Sequence, residues 1–210
     1  NLHPSFKALF KAFENVDPPT KRQKAITPRL LRKLLGASHH PSLLDTAPAV
    51  TADLVIGAFF FAMRSCEYSQ PARPGRTKCI DLDGLIFRTT QNQVIEHNDR
   101  DLLAHAEYVT VTFVDQKNGK KMDSRTQRRT KDPHLCPVIR FATQVRRILC
   151  TLPLANGSTT INTIALHGKA GLITNTYILQ ILRTTCSSFG GKETFGFDSH
   201  EIGKKSIRSG

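Results

Sequence analysis

The sequence predicts an α+β fold, mainly helical, with a small antiparallel β-sheet or hairpin set between two helical halves. Three observations predict it. Residues Thr51 to Tyr68 are apolar nearly all round; Val109, Val111 and Phe113 alternate with Thr110 and Thr112 ahead of an Asn118-Gly119 turn; and apolar residues return at helical spacing after Pro137. Helices, strands, then helices again is an α+β order rather than a doubly wound one.

The opening residues Leu2, Phe6, Leu9, Phe10 and Phe13 share one face of a short amphipathic helix, which Pro18-Pro19 ends. Thr27 at the N-cap and Pro28 at N1 start the next helix. Its apolar face is Leu30, Leu31, Leu34 and Leu35, and Gly36 is its expected C-cap. A polar loop with His39-His40 leads to the Thr51–Tyr68 stretch, whose all-round apolarity marks a buried central helix. Gln70 to Thr77 is loop. Cys79 to Arg88 holds an Asp83-Gly84 turn between apolar pieces. The strand at Val109–Phe113 reaches Asn118-Gly119, a type I′ hairpin signal, and Met122 to Thr130 returns. Pro137 starts a helix with Val138, Phe141, Ala142, Val145, Ile148 and Leu149 on one face. A polar loop follows from Leu152 to Ile164. Thr174 caps a helix to about Ser188, with Tyr177, Ile178, Ile181 and Leu182 inward, and Gly190-Gly191 breaks it. Gly203 precedes the start of a last helix.

The chain has 210 residues with 30 Lys+Arg against 17 Asp+Glu, a formal charge of +13. Charge of that size opposes compaction and is relieved by a polyanion, so nucleic acid is the first partner to consider, with an anionic membrane surface or an acidic protein as the alternatives. No apolar run approaches the ~18 residues a membrane span needs, and Leu54 to Met63 is the densest. Five cysteines, Cys66, Cys79, Cys136, Cys150 and Cys186, are odd in number and lack a C-x-x-C, against a disulfide scaffold or zinc site and in keeping with a reducing compartment. The chain opens on Asn1 rather than Met and closes just after a basic cluster, as expected of a piece of a longer protein.

Four groups of residues stand out. Arg64 sits at the end of the most apolar helix, where an unpaired guanidinium costs several kcal/mol. Glu67, three residues on, is its natural ion-pair partner; the alternative is a phosphate clamp with Glu67 holding the arginine, whose fork suits phosphate. Lys117 precedes the hairpin turn. From there the basic residues are Lys117, Lys120, Lys121, Arg125, Arg128, Arg129 and Lys131, and the only acid is Asp123. That reads as an electrostatic arm for a phosphate backbone, or as an edge strand protected by charge. Lys204, Lys205 and Arg208 form a last cluster, with Lys205 and Arg208 one helical turn apart. Other candidates fail. His39-His40 lacks partners at metal spacing, His167-Gly168-Lys169 lacks a phosphate-loop frame, Asn156-Gly157-Ser158 is a lone sequon, and His200 reads as a polar loop residue.

In order, these residues resemble a family. Ala62-Met63-Arg64-Ser65-Cys66-Glu67-Tyr68 is similar to the first-arginine motif of the tyrosine recombinases, the phage-type integrases. Lys117 stands where that family has a β-hairpin lysine, and Lys205-x-x-Arg208 matches its [HK]-x-x-R motif. Arg22 to Pro28 resembles the family's linker and first catalytic helix. Cys136-Pro137-Val138 with Arg146-Arg147, and Glu201-Ile202-Gly203 leading to Ser206–Gly210, resemble mobile-element integrases of eukaryotes.

The resemblance implies a domain plan: residues 1–15 end a core-binding helical domain, 16–26 are a linker and 27–210 a C-terminally truncated catalytic domain. It also implies DNA strand breakage and rejoining through a 3′-phosphotyrosine, for recombination and integration, with no metal and no cofactor. Arg64 and Arg208 would bind the scissile phosphate, Lys117 would protonate the leaving 5′ oxygen, and Lys205 would assist proton transfer. Lys120, Lys121, Arg125, Arg128 and Arg129 would hold the DNA backbone, and Glu67 would hold Arg64. Lys205 stands where histidine is commoner. The family's nucleophilic tyrosine follows the second arginine, whereas Tyr68, Tyr108 and Tyr177 all precede it, so the chain alone is expected not to cleave. The expected partner is double-stranded DNA, with no membrane, and with multimers of the full-length protein on DNA; the expected place is inside the cell, nuclear in a eukaryotic host. The alternatives are a non-catalytic DNA-binding remnant of a mobile element and a basic RNA-binding protein.

Overall fold

In the computed structural model the described residues are 23–39, 46–71, 77–115, 119, 121–151, 163–168, 171–203 and 206–207. The expected opening helix and most of the loop after Leu152 lie outside them. The rest is an α+β fold, as the sequence implies.

Helix α1 (Pro28–Ser38) starts where Thr27 Oγ1 accepts the Leu30 N–H at 3.4 Å. Leu30, Leu31, Leu34 and Leu35 are buried along one face, each contributing about 1.5–3 kcal/mol. The helix does not stop at Gly36. It runs on to Ser38, whose side chain is buried, and His39 is the C-cap. A glycine inside a helix costs only about 1 kcal/mol against alanine, less than the packing around it supplies.

Helix α2 (Ala47–Phe60) is the central element, buried at every position from Ala49 to Ala58. Gly57 lets it approach α5 (Pro137–Thr151) closely: a Cβ there would lie 2.5–3.0 Å from the Phe141 ring. The expected single helix to Tyr68 is two. Helix α2 ends in a Schellman turn, with Met63 N–H donating to Ala58 O at 3.0 Å and Ala62 N–H to Phe59 O at 3.2 Å. Ala62 takes the left-handed conformation (φ 49°) that glycine usually fills, and Met63 is buried beneath the turn. A one-turn helix α3 (Ser65–Tyr68) then begins.

A 3₁₀ turn at Leu82–Gly84 leads into β1 (Leu85–Arg88), followed by β2 (Val94–Ile95), α4 (Arg100–Ala104), β3 (Tyr108–Asp115) and β4 (Lys121–Arg128). The sheet is antiparallel in the order β2-β1-β3-β4, so β4 is an edge. Phe87, Val109, Val111 and Phe113 face the helical layer and are buried. The hairpin register pairs Asp115 with Lys121. A two-residue turn at 118–119 would place Asp115 opposite Met122, so the expected type I′ turn does not fit the ladder. Gly119 has φ +82°; Asn118 lies outside the described residues.

A small ladder of β5 (Leu166–His167) and β6 (Gly171–Leu172) follows α5 and was not legible in sequence. Helix α6 (Asn175–Ser188) starts where Thr174 Oγ1 accepts the Tyr177 N–H at 3.2 Å, and buries Ile178 and Leu182. Gly190 (φ 93°) ends it, and the short α7 (Gly191–Phe195) follows. The chain then returns along residues 24–26: Lys24 N–H donates to Glu201 O at 3.1 Å and Ile26 N–H to Ser206 O at 3.0 Å.

Candidate nucleic-acid interface

The Schellman turn fixes the position of Arg64. The chain leaves α2 in the left-handed step at Ala62 and enters α3 with Arg64 extended at its N-cap (φ −76°, ψ 149°). Arg64 therefore sits four residues beyond the long helix, at a corner, rather than at the helix end expected from the apolar pattern. Glu67 reaches back to it twice. One carboxylate oxygen accepts the Arg64 backbone N–H at 2.6 Å, and the other accepts the guanidinium NH1 at 3.1 Å. Glu67 is 5% exposed and Arg64 21%, so the carboxylate is buried with its charge compensated while the guanidinium keeps an open side. The ion pair expected from the spacing is formed, and it holds the arginine in place.

Arg64 lines a cleft of about 200 Å³ with Phe61, Glu67, Phe113, Asp123 and Arg125. A neighbouring cleft of about 290 Å³ shares Glu67 and Phe113 and opens toward Lys78, Asp115 and Lys121. The two form a groove between the α3 corner and the β3–β4 hairpin. Its charges are mixed. Arg125 is bound to Asp123 at 3.2 Å, and Asp81 in the second cleft has its carboxyl raised by burial and by Asp83 nearby.

The basic run of the hairpin does not act as one face. Strand alternation sends Lys121, Asp123, Arg125 and Gln127 to the side of Phe113 and Arg64, with the Gln127 amide donating to Phe60 O at 3.0 Å. Arg128 lies on the opposite side, where its Nε donates to Glu107 at 2.6 Å; that bond holds its guanidinium protonated above the usual arginine range. Arg129 donates to Ala104 O at 3.0 Å. Of the basic residues singled out in sequence, Lys121 and Arg125 share the groove with Arg64. Lys117, Lys120, Lys204, Lys205 and Arg208 lie outside the described residues.

The tyrosines are placed differently from one another. Tyr68 is buried, and burial, then Cys66 and Glu67, push its hydroxyl pKa far up. Tyr108 is half-buried on the sheet, and Tyr177 is half-buried on α6 with its pKa raised by burial. Cys79, in the groove wall, is pushed up to about 11, chiefly by burial. All five cysteines are free thiols. Among the described residues no group of three His, Cys, Asp or Glu converges as a metal site, and no helix is long and apolar enough to cross a membrane.

The sequence reading missed a buried charge cluster on the far side of α2. Asp53, 0% exposed, accepts from Arg147 at 2.9 Å and from Arg140 at 3.2 Å, with His39 Nε2 also at 3.2 Å. Arg140 also donates to Pro133 O, and Arg147 to Gln144 Oε1, whose amide nitrogen bonds Ile164 O and Leu166 O. The cluster ties α1, α2, α5 and the β5 approach together. The available signal was a lone Asp53 inside an otherwise apolar helix, which demands a buried partner.

No protein-family model matches this chain, and no curated protein or solved structure is significantly similar to it.

Proposed function

We propose that this chain is a duplex-DNA-binding part of a tyrosine recombinase catalytic domain, with Arg64 as its first phosphate-binding arginine. One observation carries the reading furthest. Arg64 is set at a rigid corner, fixed by a buried carboxylate through its own backbone and side chain, and left open on a groove opposite a basic strand. A guanidinium so held meets a phosphate without losing rotamer freedom at the moment of contact, which is what transition-state stabilisation by a preorganised charge requires. The formal charge of +13 supports a polyanionic partner. Lys121 and Arg125 are the described groups that would position a backbone across that groove; Lys117, Lys205 and Arg208 complete the proposal from sequence alone.

The test separates binding from chemistry. In duplex binding, Arg64→Ala should cost less than about threefold, one contact among many, while Lys121→Ala with Arg125→Ala should reduce both affinity and salt dependence. With the chain expressed through any in-frame continuation beyond codon 210, a nicked suicide duplex should give an SDS-resistant protein–DNA adduct. Arg64→Ala should lower the adduct's rate by about 10²–10³. An adduct that forms equally fast without Arg64 refutes the assignment.

A further inference from the structure

The outer face of the four-stranded sheet carries Arg88, Tyr108, Thr110, Thr112 and Val114, and is not the face that carries Arg64. Among the described residues five large apolar side chains are well exposed; two of them, Val94 (59%) and Val114 (54%), lie on this face, and Met122 (65%) borders it at the hairpin end. The register lines up Val94, Arg88, Tyr108 and Arg128 as successive partners across all four strands, so a tyrosine stands between two arginines. The Arg128 guanidinium lies 5.9 Å from the Tyr108 ring centroid. Beside this row the face is hydroxylic: Thr110 meets Thr126 at 2.8 Å, Thr112 meets Ser124 at 3.0 Å, and Arg88 donates to Thr110 at 2.7 Å. A cleft of about 280 Å³ opens there, lined by Arg88, Thr90, Asn92, Tyr108 and Thr126.

We propose that this face is a single-stranded nucleic-acid platform, independent of the recombinase reading. Tyr108 with its Arg128 neighbour would stack a base, Arg88 and the terminal nitrogens of Arg128 would meet phosphates, and Thr126, Thr90 and Asn92 would bond base or sugar edges. Base stacking on an aromatic side chain of a sheet, between basic residues, is a general mode of single-strand binding. Charge complementarity favours it in a chain of +13. Size favours it as well. Four strands about 4.8 Å apart and a few residues deep offer on the order of 400 Å², which suits a few nucleotides. A stable protein pair buries about 800 Å² on each side.

The test uses the full 210-residue chain and a labelled octathymidylate at about 50 mM salt, where electrostatic binding is strong. The chain has no tryptophan and three tyrosines, of which Tyr68 is buried, so quenching of tyrosine emission on binding reports Tyr108 and Tyr177. Tyr108→Ala should weaken octathymidylate binding about tenfold and abolish most of the quenching. Tyr108→Phe should keep affinity within about twofold, since the ring is retained. Thr126→Glu on the exposed edge strand, with its fold checked by circular dichroism, should lose binding like Tyr108→Ala. Duplex affinity should be unchanged by both Tyr108 variants and octathymidylate affinity unchanged by Arg64→Ala. Unchanged single-strand affinity in Tyr108→Ala and Thr126→Glu overturns the proposal. So does an equal loss for duplex and single strand, which would make the face part of the duplex site. So does an effect on self-association alone, which would make it a contact between copies. Failure of duplex binding with single-strand binding intact would instead sink the proposed function and leave this platform standing.

Discussion

Asp53→Ala should cost about 4 kcal/mol of stability. The carboxylate is fully buried and accepts from two guanidinium groups, Arg147 at 2.9 Å and Arg140 at 3.2 Å. Removing it leaves two cations in the core with less than their full set of acceptors. Breaking a buried pair by deleting one partner costs about 3–5 kcal/mol. The Pro133 carbonyl and the Gln144 amide oxygen still hold one hydrogen bond to each arginine, which keeps the expectation near the middle of that range. Against a total of about 5–15 kcal/mol for an ordinary domain, this is a large share. Urea unfolding followed by far-UV circular dichroism measures it as a fall in midpoint at unchanged slope. Arg32→Ala is the control, since it removes the surface pair with Asp132 and leaves the Asp132 bonds to the His134 and Leu135 N–H groups in place. Arg32 is 55% exposed, and a surface pair is worth about 1 kcal/mol or less. If Asp53→Ala lies within 1 kcal/mol of the parent, the cluster does not tie α1, α2 and α5 together.

Three further outcomes are expected. Gly57→Ala should destabilise by about 1–3 kcal/mol through the Cβ contact with the Phe141 ring, and Phe141→Leu in the same chain should recover part of the loss in thermal melts. Thr174→Ala removes the N-cap of α6 and should cost about 1 kcal/mol in the same assay. Stability should fall as pH rises from about 9 to about 11, because the Cys79 thiol ionises near 9.0 unfolded and near 11 folded. The raised folded value means the unfolded state loses its proton first. The contribution is intact below pH 9 and lost by pH 11, at most about 2–3 kcal/mol. Tyr68 acts in the same direction at higher pH. Cys79→Ala should flatten the part between 9 and 11; parallel curves for parent and variant would show that Cys79 is not responsible.

Local chemistry made some elements legible. Thr27-Pro28 and Thr174 are capping signals with a fixed meaning, and both helices start there. Pro137 opens α5 for the same reason. The α2 terminus was illegible because alanine, not glycine, takes its left-handed position, and apolar residues continue past it on both sides of the break. At Gly36 the opposite happened: a glycine signalled a stop that packing overrode. The hairpin was visible from Asn118-Gly119, yet its register was not, since the one-residue difference between turn types moves every pairing. Strand alternation divides Arg125 from Arg128 in any register; the register decides which of the two shares the face of Arg64. The Arg64–Glu67 pair was readable from its spacing alone. The Asp53 cluster was not, because its members come from positions 39, 53, 140 and 147 and only folding joins them.

Duplex affinity as a function of salt tests the central claim most directly, with a labelled 20-base-pair DNA and fluorescence anisotropy on the 210-residue chain. Engagement of about five or more phosphates predicts a log–log slope of about −4 or steeper, and a shallower slope when Lys121 and Arg125 are both replaced by alanine. No binding at about 50 mM salt, or binding whose slope is near zero, would contradict the account.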